Sequence, residues 1–221
     1  METSKYYSLD VLLVPINIFL ITTYHIYLWH SSRSKPHKTS IGAKIARQTA
    51  WLQSIIPVEE KKGTLGIQTF RNALLESILS ATVAIAVNAA MAAVANNAYT
   101  SHVLLSRPVA FGSQKGSMLV FKYASACLLL LLSFLCSSMA VGCIIEAGFL
   151  LSTNGRELFV ARAEVALMKG CVLAVVGNRV LFVAISYVAW MFGPVAFAMS
   201  TMGMLWVFYV LDFQDTRLKL C

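Results

Sequence analysis

Between Cys171 and Leu211 the chain is almost wholly apolar, with Arg179 as its one charge. About forty residues wound into one helix would be roughly 60 Å long at about 1.5 Å per residue. The hydrocarbon core of a bilayer is only about 30 Å thick. The run is therefore one overlong helix or two helices that meet at Gly193-Pro194. Pro supplies no N–H and biases its predecessor away from helix, so Gly193-Pro194 is a plausible break. Two segments, about 173–192 and 194–211, are the favoured reading. Each is then close to the length needed to cross. A single kinked helix is the alternative, because Pro kinks are tolerated in membrane helices.

The rest of the chain has the same character. Of its 221 residues 58% are hydrophobic and 13% charged, where soluble domains carry about 25% charge. Mean hydropathy is +0.70. The net charge of +8 sits in clusters beside apolar spans, which suits membrane topology better than nucleic acid. The five cysteines, none in a C-x-x-C, read as small core residues. Glu2 and Asp10 dilute the N-terminal positive charge and no A-x-A-like site follows, so the first span is expected to stay in the mature protein.

These patterns predict an all-α, polytopic transmembrane bundle forming one domain over 1–221, with four to five membrane segments. The first three run about 9–29, 72–96 and 118–152. Between the first two, Ser40–Ile56 carries Ile41, Ile45, Leu52 and Ile56 at helical spacing, with Lys44, Arg47 and Trp51 recurring beside them. That pattern predicts an amphipathic interfacial helix, ended by Pro57, whose Lys44, Arg47 and Trp51 are candidates for lipid head-group binding. The second span is rich in Ala and Ser, which lets helices approach closely, so it is expected to be the most crowded by protein. The stretch 154–170 reads as a short cytosolic helical stretch ahead of the next span. Eight Lys and Arg lie between His30 and Arg71, against one before the first span and two after the second. The positive-inside rule then puts the N-terminus outside and the basic loop in the cytosol. The expected location is a multi-pass position in the plasma membrane or an endomembrane.

Several phrases line up in order. "TYHIYLWHSSRSKPHKTSIG" carries Tyr24, His25, Leu28, Pro36, Thr39 and Gly42; "ARQTAWL" carries Arg47 and Trp51; "IQTFRN" carries Gln68, Thr69, Arg71 and Asn72. "LVFKY" carries Lys122 and Tyr123, "GNRV" carries Gly177 and Arg179, "WMFGP" carries Trp190 to Pro194, and "YVLD" carries Tyr209 and Asp212. Over nearly its whole length the chain resembles a plant and bacterial membrane-protein family known as domain of unknown function 599. The resemblance implies a polytopic membrane protein and no established activity. Late in the third span, where that pattern has an Arg and a His, this chain has Gly142 and Glu146.

Charge in a bilayer needs a partner or water. The candidate intramembrane polar residues are Glu76, Asn88, Lys122, Glu146 and Arg179. Glu76 and Lys122, near opposite faces, are expected to snorkel to the interfaces, while Glu146 could reach Arg179. Asn72, Glu76, Ser80 and Asn88 wind around the second span and suit packing or a crossing pore-lining helix. His25, His30, His37 and His102 show no metal-ligand spacing, and no phosphate loop, nucleophile elbow or carboxylate pair is present. No cofactor, metal or catalytic role is expected. The best expectation is a small homo-oligomeric channel or transporter. The alternative is a structural or adaptor protein that organises membrane-protein partners or anionic lipid.

Overall fold

The computed structural model describes residues 2–55, 60–100, 116–152 and 157–213. Among the described residues six α-helices follow one another: α1 Glu2–Ser34, α2 Ser40–Ile55, α3 Glu60–Thr100, α4 Gly116–Ser152, α5 Glu157–Trp190 and α6 Pro194–Asp212. A 3-10 turn, Pro36–Lys38, links α1 to α2. Five of the helices are long and apolar enough to cross a membrane: Asp10–Ser34, Gln68–Asn96, Met118–Leu151, Ala161–Trp190 and Pro194–Asp212. The molecule is an all-α, multi-pass membrane protein. Pro57, His102 and the tail after Phe213 lie outside the described residues, and of Trp51 only its place in α2 is described.

The seam between α4 and α5 is the closest in the fold. On α4 the buried residues Ala126, Leu130, Ser133, Ser137, Ala140, Ile144 and Ala147 step by fours and threes. That is a heptad rhythm, which keeps one stripe of a helix against an antiparallel neighbour. On α5 the stripe is answered by Ala163, Leu167, Gly170, Gly177, Leu181 and Ala184. A Cβ at Gly177 would stand 2.7 Å from Ser137 Oγ and 3.2 Å from the Ser133 carbonyl oxygen. Ser133 Oγ in turn donates to the Gly177 carbonyl at 2.7 Å. Without hydrophobic drive in lipid, such backbone approach is what holds helices together.

Two expectations are corrected here. The described part of 154–170 is helical, but it and the span expected from about 173 are one helix: α5 runs unbroken from Glu157 to Trp190. Its glycines serve contact with α4, and no proline interrupts it. Nor is the second span the most crowded within the protein. Its apolar window is 17% buried, against 39% for that of α5. The Ala and Ser of α3 are spread around the helix, and among its described side chains only the stripe Ser77, Ser80, Ala84 and Met91 is buried.

At the other end of α5 the chain reverses. Met191 and Phe192 form a turn, Gly193 takes φ 137°, and Pro194 opens α6. A positive φ is natural only for glycine, and proline's missing N–H costs nothing in the first turn of a helix. Phe192 is exposed, as suits an anchor at head-group depth, but Trp190 is only 2% exposed and is packed inside the protein. α6 then lies along α5 and carries α1 on its flank, while α2 folds back over the end of the bundle and touches α1, α5, α3 and α6. With 19 residues, α6 is about 28 Å long, which just spans a hydrocarbon core of about 30 Å.

Candidate functional site

Asp212 is the last residue of α6, one turn beyond Phe208 and on the same face. It is 1% exposed. A buried carboxylate is costly unless several donors satisfy it, and three segments supply them. Arg179 of α5 donates through Nη2 to Asp212 Oδ1. Ser40, at the start of α2, donates to the same oxygen at 3.2 Å. Tyr24 of α1 donates to Oδ2 at 2.5 Å. One side chain thus ties α1, α2 and α5 to α6.

Phe208 organises the surroundings. The Arg179 guanidinium sits 4.9 Å above its ring, Tyr24 stacks on it at 6.4 Å, and His25 meets it edge-on at 6.1 Å. Cations over an aromatic face gain from the ring quadrupole, more so out of water. Arg179 Nη1 is nevertheless buried without a hydrogen-bond partner.

Beside this cluster a cleft of about 920 Å³ opens between α1, α2 and α5, and Arg179 and His25 form part of its wall. Ile26, Trp29, Ile41, Ile45, Val172 and Val176 are among the apolar residues of the rest. From Arg179 to Met168 the cleft follows α5 for roughly 17 Å. The amphipathic face of α2 is explained by this: Ile41 and Ile45 turn toward the cleft. Arg33 borders it, exposed, with its guanidinium 4.9 Å over Trp29.

A second buried ionic group lies at the opposite end of the bundle. Lys122 Nζ is 3.8 Å from Asp10 Oδ1, and Trp190 Nε1 donates to the same oxygen at 3.2 Å. The ammonium also lies 5.3 Å from the centre of the Trp190 ring. Lys122 is therefore not a snorkelling residue: it is 3% exposed, because Asp10 of α1 and the indole of α5 meet it there.

The other sequence-derived candidates fall elsewhere. Glu146 does not pair with Arg179. α4 and α5 are antiparallel with Gly170 against Cys143 and Gly177 against Ser137, which sets Glu146 roughly 17 Å along the seam from the level of Arg179. Glu146 is exposed. Glu76 is exposed too, and pairs with Lys44 at 3.4 Å, linking α3 to α2. So Lys44 is already engaged, while exposed Arg47 donates through Nε to its own helix at the Ala43 carbonyl. Asn88 is half-buried on α3, beside the stripe that faces α4. Among the described residues no group of three His, Cys, Asp or Glu could hold a metal ion.

Reading the sequence for intramembrane charge missed Asp10, Tyr24, His25 and Asp212. The two aspartates stand where apolar runs begin and end, and so read as boundaries. The signal that could have found them was the phrases "TYHIYLWH" and "YVLD", which carry Tyr24, His25 and Asp212.

The family model described as "Protein of unknown function, DUF599" matches residues 12–217, a span that holds the whole Asp212 cluster and the cleft. No curated protein and no solved structure matches the chain.

Proposed function

Since the chain belongs to the family of unknown function DUF599, which lends it no activity, we propose from the site alone that this membrane protein takes an amphipathic molecule of the bilayer into the cleft between α1, α2 and α5. The observation that carries the reading is the cleft itself: about 920 Å³, walled by apolar side chains, with Arg179 and His25 in its lining. Ligand sites are commonly 300–1,000 Å³, mostly apolar, with a few placed polar groups. The stretch from Arg179 to Met168, roughly 17 Å, is close to the roughly 15 Å of one leaflet's hydrocarbon. An extended acyl chain fits such a length. Of the two expected functions, this lies nearer the one that engages lipid; the expectation of an anionic lipid draws no support from the cleft, whose Arg179 is paired with Asp212.

A photoactivatable amino acid at Val176, in the cleft wall, should capture a restricted set of amphiphiles. The same group at Leu128, which is exposed on α4, should capture the bulk lipid mixture. Identical adducts at both positions, read by mass spectrometry, would count against a binding cleft.

The channel or transporter reading draws on a different feature. Ala89 and Ala93 lie exposed on α3, a surface of small residues on which several copies could pack. Ion flux from proteoliposomes tests it, and silence across common cations and anions would retire it.

A further inference from the structure

The polar end of the cleft is built as a donor and an acceptor, not as a net charge. Asp212 already balances Arg179, and its two oxygens accept from Arg179, Ser40 and Tyr24. No uncompensated cation remains there for an anionic head group. The nearest other cation in the lining, Arg33, is exposed and stands about 12 Å along α1 from His25.

What remains unpaired is specific. Arg179 Nη1 is buried with no acceptor, and a buried donor left unmade is costly. His25 Nδ1 lies 2.8 Å from the Ile21 carbonyl oxygen. A carbonyl only accepts, so Nδ1 carries the hydrogen, and in the neutral ring Nε2 is a bare acceptor. Among the described residues no hydrogen bond is made through His25 Nε2. Both side chains border the Phe208 ring, Arg179 at 4.9 Å and His25 at 6.1 Å, and both line the cleft.

A group that both accepts and donates on one atom matches this pair. A hydroxyl does so: its oxygen accepts, and its hydrogen is given away. An ether or ester oxygen would serve Arg179 and leave His25 unmet. A phosphate would turn acceptor oxygens toward the His25 lone pair and find no free positive charge. We propose that the cleft takes an uncharged amphiphile bearing a hydroxyl, whose oxygen accepts from the Arg179 guanidinium and whose hydrogen is donated to His25 Nε2. Its apolar body lies along Val172 and Val176 under Ile41 and Ile45 of α2. This rests on the cleft being a ligand site.

The test uses the full chain in lipid nanodiscs and three diazirine probes with the same alkyl chain: the primary alcohol, its methyl ether and its phosphate monoester. Labelling within the cleft is mapped by peptide mass spectrometry. The alcohol should bind roughly three- to ten-fold more tightly than the ether, the worth of one hydrogen bond, and more tightly than the phosphate. His25→Leu, which keeps bulk and removes the acceptor, should bring the alcohol down to the ether's level. The comparison of alcohol with ether needs no variant, so it stands whether or not His25→Leu folds. Equal binding of alcohol and ether, or a preference for the phosphate, overturns the hydroxyl and leaves the cleft as a site. Failure of all three to label the cleft overturns both.

Discussion

Replacing Asp212 by Ala is expected to destabilise the folded protein by about 3–5 kcal/mol, the usual cost of removing one partner from a buried ion pair. The side chain is 1% exposed, so what it leaves behind cannot turn to water. Arg179 would keep its charge in a site that also loses the anchor for Tyr24 and Ser40. Three helices lose a common contact at once. Thermal unfolding in detergent, followed by helical signal, measures the effect. Glu76→Ala serves as the contrast: its pair with Lys44 is exposed, and such pairs contribute at most about 1 kcal/mol. The double variant Arg179→Met/Asp212→Leu should recover much of the loss, since replacing both charges with apolar groups removes the desolvation cost as well as the attraction. A single variant as stable as the unaltered protein would mean that Asp212 does not hold the bundle.

Lys122→Met should be comparably severe, about 3–5 kcal/mol by the same reasoning. It would leave the Asp10 carboxylate buried with the Trp190 indole N–H but without the ammonium. The lost ion pair joins α1 to α4, two helices with little other contact, so the first span should loosen before the rest. Proteolysis or hydrogen exchange at α1 should rise in this variant while the α4–α5 seam stays protected. Asp10→Asn/Lys122→Met should be milder than Lys122→Met alone. Uniform loss of protection in every helix would show instead that the pair supports the whole bundle.

The two ion pairs also show what can be read from such a sequence. Apolar length gave the spans, since only a continuous run of apolar residues tolerates lipid along its whole length. The reversal at Gly193-Pro194 was legible because two local rules, a permissive glycine and a proline suited to a first turn, act on adjacent residues. The seam of α4 was legible in principle: from Ala126 to Ala147 small residues alternate with Leu130 and Ile144 in a stripe that repeats at three and four, though composition alone pointed to the Ala-rich α3 instead. Partnership was not legible. Arg179 finds Asp212, 33 residues away, and Lys122 finds Asp10 because α1 is carried on α6 beside the end of α5. Which helices become neighbours is decided by packing, and no spacing within one helix encodes it. The cleft was hidden for the same reason. Its walls come mainly from α1, α2 and α5, and Ile41 and Ile45 read as a face for the membrane surface, whereas they line the cleft.

The most direct test of the cleft as a binding site is the amphiphile content of the purified protein. The full chain and Val176→Trp, in which an indole fills the cleft, would be extracted in parallel, washed through the same mild detergent and analysed by lipid mass spectrometry. The unaltered protein should retain a defined amphiphile in fixed ratio to protein, and Val176→Trp, equally stable to heat, should retain much less. Equal retention by the two proteins, or only traces of bulk lipid in both, would contradict the cleft as a binding site.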